Sequence, residues 1–198
     1  MKPILFNTEM VQAILDNRKT QTRRLVKVDL GLADIDENDK DYFYVPNSDG
    51  EYHHILEYSK IHIGDILYVR ETWARESEYC IYKADLDDWS HLEDLKWRPS
   101  IHMPKEDARL FLKVTDVRVE RLQDITEKGA MAEGVDWTDN RCYENNGWKP
   151  SFYDPDSGGS PVFTDGFIGI WDEIYANKGF GWDDNPWVWV IEFERCEK

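Results

Sequence analysis

The net charge of this 198-residue chain is concentrated in three spans. Residues 29–51 hold eight acids against one lysine, residues 76–96 seven against two bases, and residues 136–165 six against two. Their balances of −7, −5 and −4 account for the whole formal charge of −16, and the remaining residues carry nineteen acids and nineteen bases. Charged side chains are rarely buried without a partner. The three spans are therefore expected to be long, loop-like excursions from a compact body. That body has to be built from the segments between them.

Those segments are apolar enough to fold. Hydrophobic residues make up 41% of the chain and aromatic residues 14%, which argues against disorder. The length predicts one domain, residues 1–198, with insertions at 29–51, 76–96 and 136–165. Nine Trp and ten Tyr are many for this size, and most are expected to fill the core, leaving some free to stack on bases. There is no apolar run of membrane-spanning length, and residues 1–6 are too short and polar-flanked for a signal peptide. Cys80, Cys142 and Cys196 are odd in number and scattered, as expected of a protein in the reducing cytoplasm. His53 and His54 are adjacent and lack metal-ligand spacing, so neither a metal nor a cofactor is expected.

Patterning predicts several short strands and three short helices. Strands are expected at 3–6, 66–70, 79–83, 109–119 and 187–193, the last a buried aromatic run opened by Pro186. In 109–119 the alternation slips at Thr115-Asp116, which predicts a bulge or bend. Leu25, Val26 and Val28 suggest a further extended stretch. Helices are expected at 8–18, with Asn7 or Thr8 as cap, at 126–133, stopped by Gly134, and at 165–176. Residues 153–160 are the most linker-like stretch. The fold class is α+β, and a small, closed or nearly closed mixed β-barrel with flanking short helices fits it.

One local feature opposes the global charge. Arg18-Lys19-Thr20-Gln21-Thr22-Arg23-Arg24 begins a stretch that reaches Lys27 with five bases and no acid. It follows the helical pattern of Met10, Val11, Ile14 and Leu15, so Lys19 and Thr22 share a face if the helix continues. The run is either a solvated cationic helix end or a site. As a site, it offers a lysine that can act as base if burial or neighbouring cations lower its pKa. It also offers a hydroxyl that such a base can activate.

The run resembles the opening signature of ASCH domains, which are similar in fold to PUA RNA-binding domains. Further segments resemble the same family: residues 64–73 (Gly-Asp-Ile-Leu-Tyr-Val-Arg-Glu-Thr-Trp), 114–117, 126–134 and 187–193. Residues 97–104 resemble a longer subgroup found in phages and prophages. The resemblance implies a PUA-like barrel. It also relates the chain to a small bacterial amidohydrolase that deacetylates N(4)-acetylcytidine, whose Lys, Thr and Glu correspond to Lys19, Thr22 and Glu133. Two departures stand out: Asn17 where the family usually has Gly, and a chain about twice as long as that enzyme.

Lys19, Thr22 and Glu133 are thus the candidate catalytic residues, with Lys19 as base, Thr22 as nucleophile and Glu133 on the leaving amine. Arg18, Arg23, Arg24, Glu71 and Trp73 are candidate ligand-binding residues. Glu71 is either a pocket carboxylate or the partner of an arginine. Trp73 and Trp97 either stack on a ligand or pack in the core, and His102 is read as structural. The first functional reading is a pocket that binds a nucleoside or single-stranded RNA, with the basic run forming the main positive patch. The alternative is an amidohydrolase acting on an N(4)-acylated cytidine. A weaker alternative is an acidic protein that mimics nucleic acid. Neither membrane nor metal is expected as a partner.

Overall fold

The computed structural model describes residues 1–28, 30, 33–36, 43–86, 95–135 and 163–198. The linker-like residues 153–160, Cys142 and most of the third acidic span lie outside these residues. The class is α+β. A five-stranded sheet forms the frame, with strands β1 (Lys2–Leu5), β6 (Ile66–Arg70), β9 (Phe111–Arg121), β10 (Trp187–Cys196) and β2 (Gln21–Leu25) side by side in that order. β1 and β6 are parallel, and every other neighbouring pair is antiparallel. Strands β3 (Asp34–Ile35), β4 (Phe43–Pro46) and β5 (Tyr52–His54) make a second sheet, and β7 (Trp73–Glu76) pairs with β8 (Tyr79–Tyr82). No helix among the described residues is long and apolar enough to cross a membrane.

β10 organises the core because both of its faces are buried. Trp189, Ile191 and Phe193 join Ile4, Phe6, Val11, Ile14 and Leu112 in one cluster under helix α1 (Thr8–Leu15). Val188 and Val190 point the other way, into a cluster with Ala130 of α2 (Glu127–Ala132) and Phe167 and Trp171 of α3 (Phe163–Tyr175). Burial on both faces explains why 187–193 reads as a nearly unbroken apolar run. The predicted bulge lies at Thr115: Glu192 pairs with Asp116 and Phe193 with Val114, so Thr115 has no partner in the register.

Three expectations need correction. The sheet does not close into a barrel, because its edge strands β1 and β2 are not paired. A side chain spans the seam instead, where Arg24 Nη2 on β2 donates to the Leu5 carbonyl of β1 at 3.0 Å. The first acidic span is also more than a loop, since Phe43 and Val45 on β4 are buried in the core. Alternation of Phe43 and Val45 with polar-facing neighbours was outweighed in the sequence by the surrounding acids.

The third correction concerns the first helix, which ends at Leu15 and not at 18. Asn7 caps its start, accepting from the Met10 amide at 2.8 Å. At its end Asn17 adopts φ +59°, the Arg18 amide donates to the Ala13 carbonyl at 2.8 Å, and the Asn17 amide donates to that of Ile14 at 3.1 Å. These bonds form a Schellman motif with Asn17 in the left-handed position. Glycine takes this position most readily, and asparagine is the side chain that tolerates it best. Asn17 therefore meets a backbone demand that glycine would meet equally well. Asn17→Gly is expected to leave the unfolding free energy nearly unchanged, whereas Asn17→Ala loses about 1–2 kcal/mol. Chemical denaturation of the two variants checks this, and equal loss in both would contradict the capping role.

Candidate functional site

The early helix stop turns the chain so that residues 18–20 run between the ends of two helices. The Lys19 amide donates to the Ala13 carbonyl at the end of α1, at 2.9 Å. The Thr20 amide donates to Ala132 at the end of α2, also at 2.9 Å, and Lys19 forms an isolated antiparallel bridge with Glu133. α2 itself is fixed at both ends. Thr126 caps it by accepting from the Gly129 amide at 3.1 Å, and Gly134 follows Glu133 with φ +88°. A Cβ on Gly134 would lie 2.8 Å from the Ala13 Cβ and 2.9 Å from the Lys19 Cβ. Glycine is thus required there both by conformation and by the close approach of Lys19.

Lys19 and Glu133 meet in the interior. Lys19 Nζ donates to Glu133 Oε2 at 2.9 Å and to the Glu133 carbonyl at 2.8 Å. Arg23 Nη1 donates to the other carboxylate oxygen, Oε1, at 3.2 Å, and Arg23 Nη2 to Glu120 Oε2 at 3.1 Å. Lys19 is 2% exposed, Arg23 3%, Thr22 0% and Glu133 8%. The positively charged run is therefore not a solvated patch. Its two central cations are buried and paired with carboxylates, so they do not contribute to the exposed positive patch expected of the run.

Lys19 and Thr22 do not share a helical face, because Thr22 lies on β2. Strand alternation separates the run into two sets. Thr22 pairs with Ile191 and Arg24 with Trp189, both of which face the core under α1. Arg23 pairs with Val190 and faces α2 and α3, with its guanidinium 5.7 Å from the Phe167 ring centroid. Lys19 serves both sides, since its Nζ also lies 5.6 Å from the centroid of Phe6, over which Arg24 sits at 5.3 Å. Thr22 Oγ1 is buried with no hydrogen-bond partner. Such an atom calls for a specific explanation in a folded protein. Burial pushes the Lys19 ammonium below the ordinary lysine value; Glu133 opposes this shift, while Arg24 and Arg23 add to it.

The other candidates are structural in their contacts. Arg18 donates to the Gly134 carbonyl at 3.0 Å and to Asp16 at 3.0 Å, closing the turn around Lys19. Arg24 is held by the carbonyls of Arg23 and Leu5. Glu71 is the partner of an arginine: Arg109 forks onto its two oxygens at 2.9 and 3.0 Å and also binds Asp85. Burial raises the Glu71 carboxyl above its ordinary value, with Arg109 pulling it back. Trp73 is not an open stacking platform. It is 2% exposed, and the guanidiniums of Arg98 and Arg75 lie 4.9 and 5.6 Å from its ring.

Sequence reasoning missed Glu120, Arg118 and Arg109. The first two carried a readable signal, since Asp116, Arg118 and Glu120 alternate with Val117 and Val119 and so mark one polar strand face. Arg109 had no local signal, because its partner lies 38 residues away. Among the described residues no three His, Cys, Asp or Glu side chains are grouped as metal ligands. The chain matches no family model, no curated protein and no solved structure.

Removing Glu133 leaves two buried cations without their shared anion. Glu133→Ala is expected to lose about 3–5 kcal/mol of stability. Lys19→Met should lose less, because Arg23 still pairs with Glu133. Urea unfolding measures both, and the reverse order would show that the carboxylate is not the hub.

Proposed function

We propose that this is an ASCH-type, PUA-like protein, of the kind found in phages and prophages, whose Lys19–Thr22–Glu133 group recognises a nucleoside, free or unpaired in single-stranded RNA. The observation that supports this best is the state of the Glu133 carboxylate. A carboxylate has about four lone-pair sites. Lys19 takes one on Oε2 and Arg23 one on Oε1, so each oxygen keeps an accepting site. A carboxylate accepting from the exocyclic amine of cytosine is a direct way to read that base. Burial of Lys19 and Arg23 favours recognition of a base over recognition of a phosphate backbone.

Cytidine should therefore bind more tightly than uridine, whose O4 would face the carboxylate. A good base-edge contact discriminates by about 1–3 kcal/mol, roughly fivefold to 150-fold. Glu133→Gln, which places an amide donor at the same position, should shift preference toward uridine. Isothermal titration with the two nucleosides tests this, and equal affinity of the parent protein for both would overturn it.

A second reading, amide hydrolysis on an N(4)-acylated cytidine, is favoured by two observations. The Lys19 ammonium is pushed below its ordinary value, and the buried Thr22 hydroxyl has no partner. In this reading neutral Lys19 takes the Thr22 hydroxyl proton as Oγ1 attacks the acyl carbon. The C–N bond then breaks as the proton taken by Lys19 is relayed through Glu133 Oε2, its hydrogen-bond partner, to the leaving N4 amine, and water then adds to the acyl-Thr22 ester and releases the carboxylic acid, returning the proton to Thr22 Oγ1. A positioned base contributes about a hundred- to ten-thousand-fold. Lys19→Ala should lose that factor in deacetylation of N(4)-acetylcytidine, and Thr22→Ser should retain more activity than Thr22→Val. The rate should rise with pH as Lys19 deprotonates, with a midpoint below that of a free lysine because burial disfavours the charged form. Full activity of Thr22→Val would remove the nucleophile, and turnover of no acylated nucleoside despite cytidine binding would leave recognition as the function.

A further inference from the structure

Asp116, Arg118 and Glu120 occupy alternate positions of β9 and stand on one face of the sheet. In the register Arg118 lies opposite Val190 and Glu120 opposite Val188, while Val190 lies opposite Arg23. These side chains share the face covered by α2 and α3, and they join into a line of ion pairs. Arg118 Nη1 donates to Asp116 Oδ2 at 2.8 Å and to Glu192 Oε1 at 2.6 Å, and its Nε donates to Glu120 Oε1 at 2.7 Å. Glu120 Oε2 accepts from Arg23 Nη2 at 3.1 Å, Arg23 Nη1 reaches Glu133 Oε1 at 3.2 Å, and the line ends where Lys19 meets Glu133 Oε2 at 2.9 Å. Side-chain exposure falls along it, from 40% at Asp116 through 15% at Glu120 to 2% at Arg23 and 0% at Lys19.

Arg23 is the unusual member of this line. An arginine that only needs an anion commonly forks onto a single carboxylate. Arg23 instead spans two carboxylates on different elements, and its Nε is left buried with no partner. An unpartnered buried donor is destabilising. The bridging geometry therefore does something that the stronger fork would not: it fixes the orientation of the carboxylate on the residue that caps the end of α2 from a strand two places across the sheet.

We infer that Arg23 and Glu120 are positioning residues for Glu133, with Glu120 holding one Nη of Arg23 while the other fixes Oε1 so that Oε2 is presented to Lys19. This rests on the reading of Lys19 and Glu133 as the ligand site and adds two residues that need touch no ligand. The charged groups around Lys19 are Glu133 at the end of α2, Arg23 and Arg24 on β2, and Arg18 in the preceding turn; from the β1 side it meets the uncharged ring of Phe6. In an alternating line of charges, removing the acid beyond Arg23 leaves that cation to compete harder for Glu133, so Lys19 loses protonation more easily. Removing Arg23 gives Glu133 wholly to Lys19 and has the opposite effect.

The test is a carbon-13 NMR titration of the Lys19 Cε, which requires no turnover, made alongside cytidine titration. Glu120→Gln should move the Lys19 midpoint down by about half a unit to one unit, Arg23→Gln should move it up, and Glu120→Asp, which keeps the charge, should restore most of the shift. Cytidine affinity should fall severalfold in Glu120→Gln and recover in Glu120→Asp. A Lys19 midpoint that stays fixed in every folded variant, with only thermal stability reduced, would overturn the inference and leave a purely structural ion pair. If Glu120→Gln does not fold, the opposing shift in Arg23→Gln and the behaviour of Glu120→Asp decide the matter. Failure of the parent protein to bind cytidine would count against the ligand reading, while the Lys19 midpoints would still decide whether Arg23 and Glu120 position Glu133.

Discussion

The buried meeting of Lys19 with Glu133 is the constraint around which the rest of the site is arranged. A lysine with no exposed side-chain surface has to lose its charge or find an anion. Here the anion comes from the end of a short helix 114 residues further along the chain. Satisfying it dictates the sharp exit from α1, the glycine after α2 and the bridge between the two segments. It also dictates the position of Arg23, which takes the second oxygen of the same carboxylate. Four features that look unrelated in the chain thus answer a single electrostatic requirement.

The sheet makes this arrangement possible. β2 is an edge strand, so its residues can face two cores while its free side remains open to side chains from the turn. Arg23 reaches toward α2 and α3, and Thr22 and Arg24 face α1. Arg24 bridges to β1 at the place where a closed barrel would have a row of backbone bonds. Parallel pairing of β1 with β6 brings Phe6 and Glu71 to neighbouring strand ends, since the Phe6 amide donates to the Arg70 carbonyl at 3.2 Å.

Charge segregation acquires a physical meaning in this frame. Outside the acidic spans, Arg23, Arg118 and Arg109 each meet at least one carboxylate from another element. The basic run survives in an acidic protein because its central members neutralise interior carboxylates. It does not serve as a counterweight to the acidic spans, which lie in other segments.

Local chemistry was legible in the sequence wherever the cause was local. Asn7 and Thr126 marked helix starts, Gly134 marked a stop, and the slip at Thr115-Asp116 marked a bulge, because capping and alternation act over a few residues. The apolar run through Trp189 announced a buried strand, and the structure showed that both of its faces are buried. The pairing of Lys19 with Glu133 was suggested only by resemblance, since no spacing rule connects residues so far apart. The early end of α1 was hidden because Asn17 reads as helical until the left-handed turn is seen. The burial of Lys19 and Arg23, the bridging role of Arg23, and the Glu71–Arg109 fork were decided by tertiary structure alone. Whether a cation is solvated or paired depends on which carboxylate the fold brings within about 3 Å, and long-range strand register sets that distance.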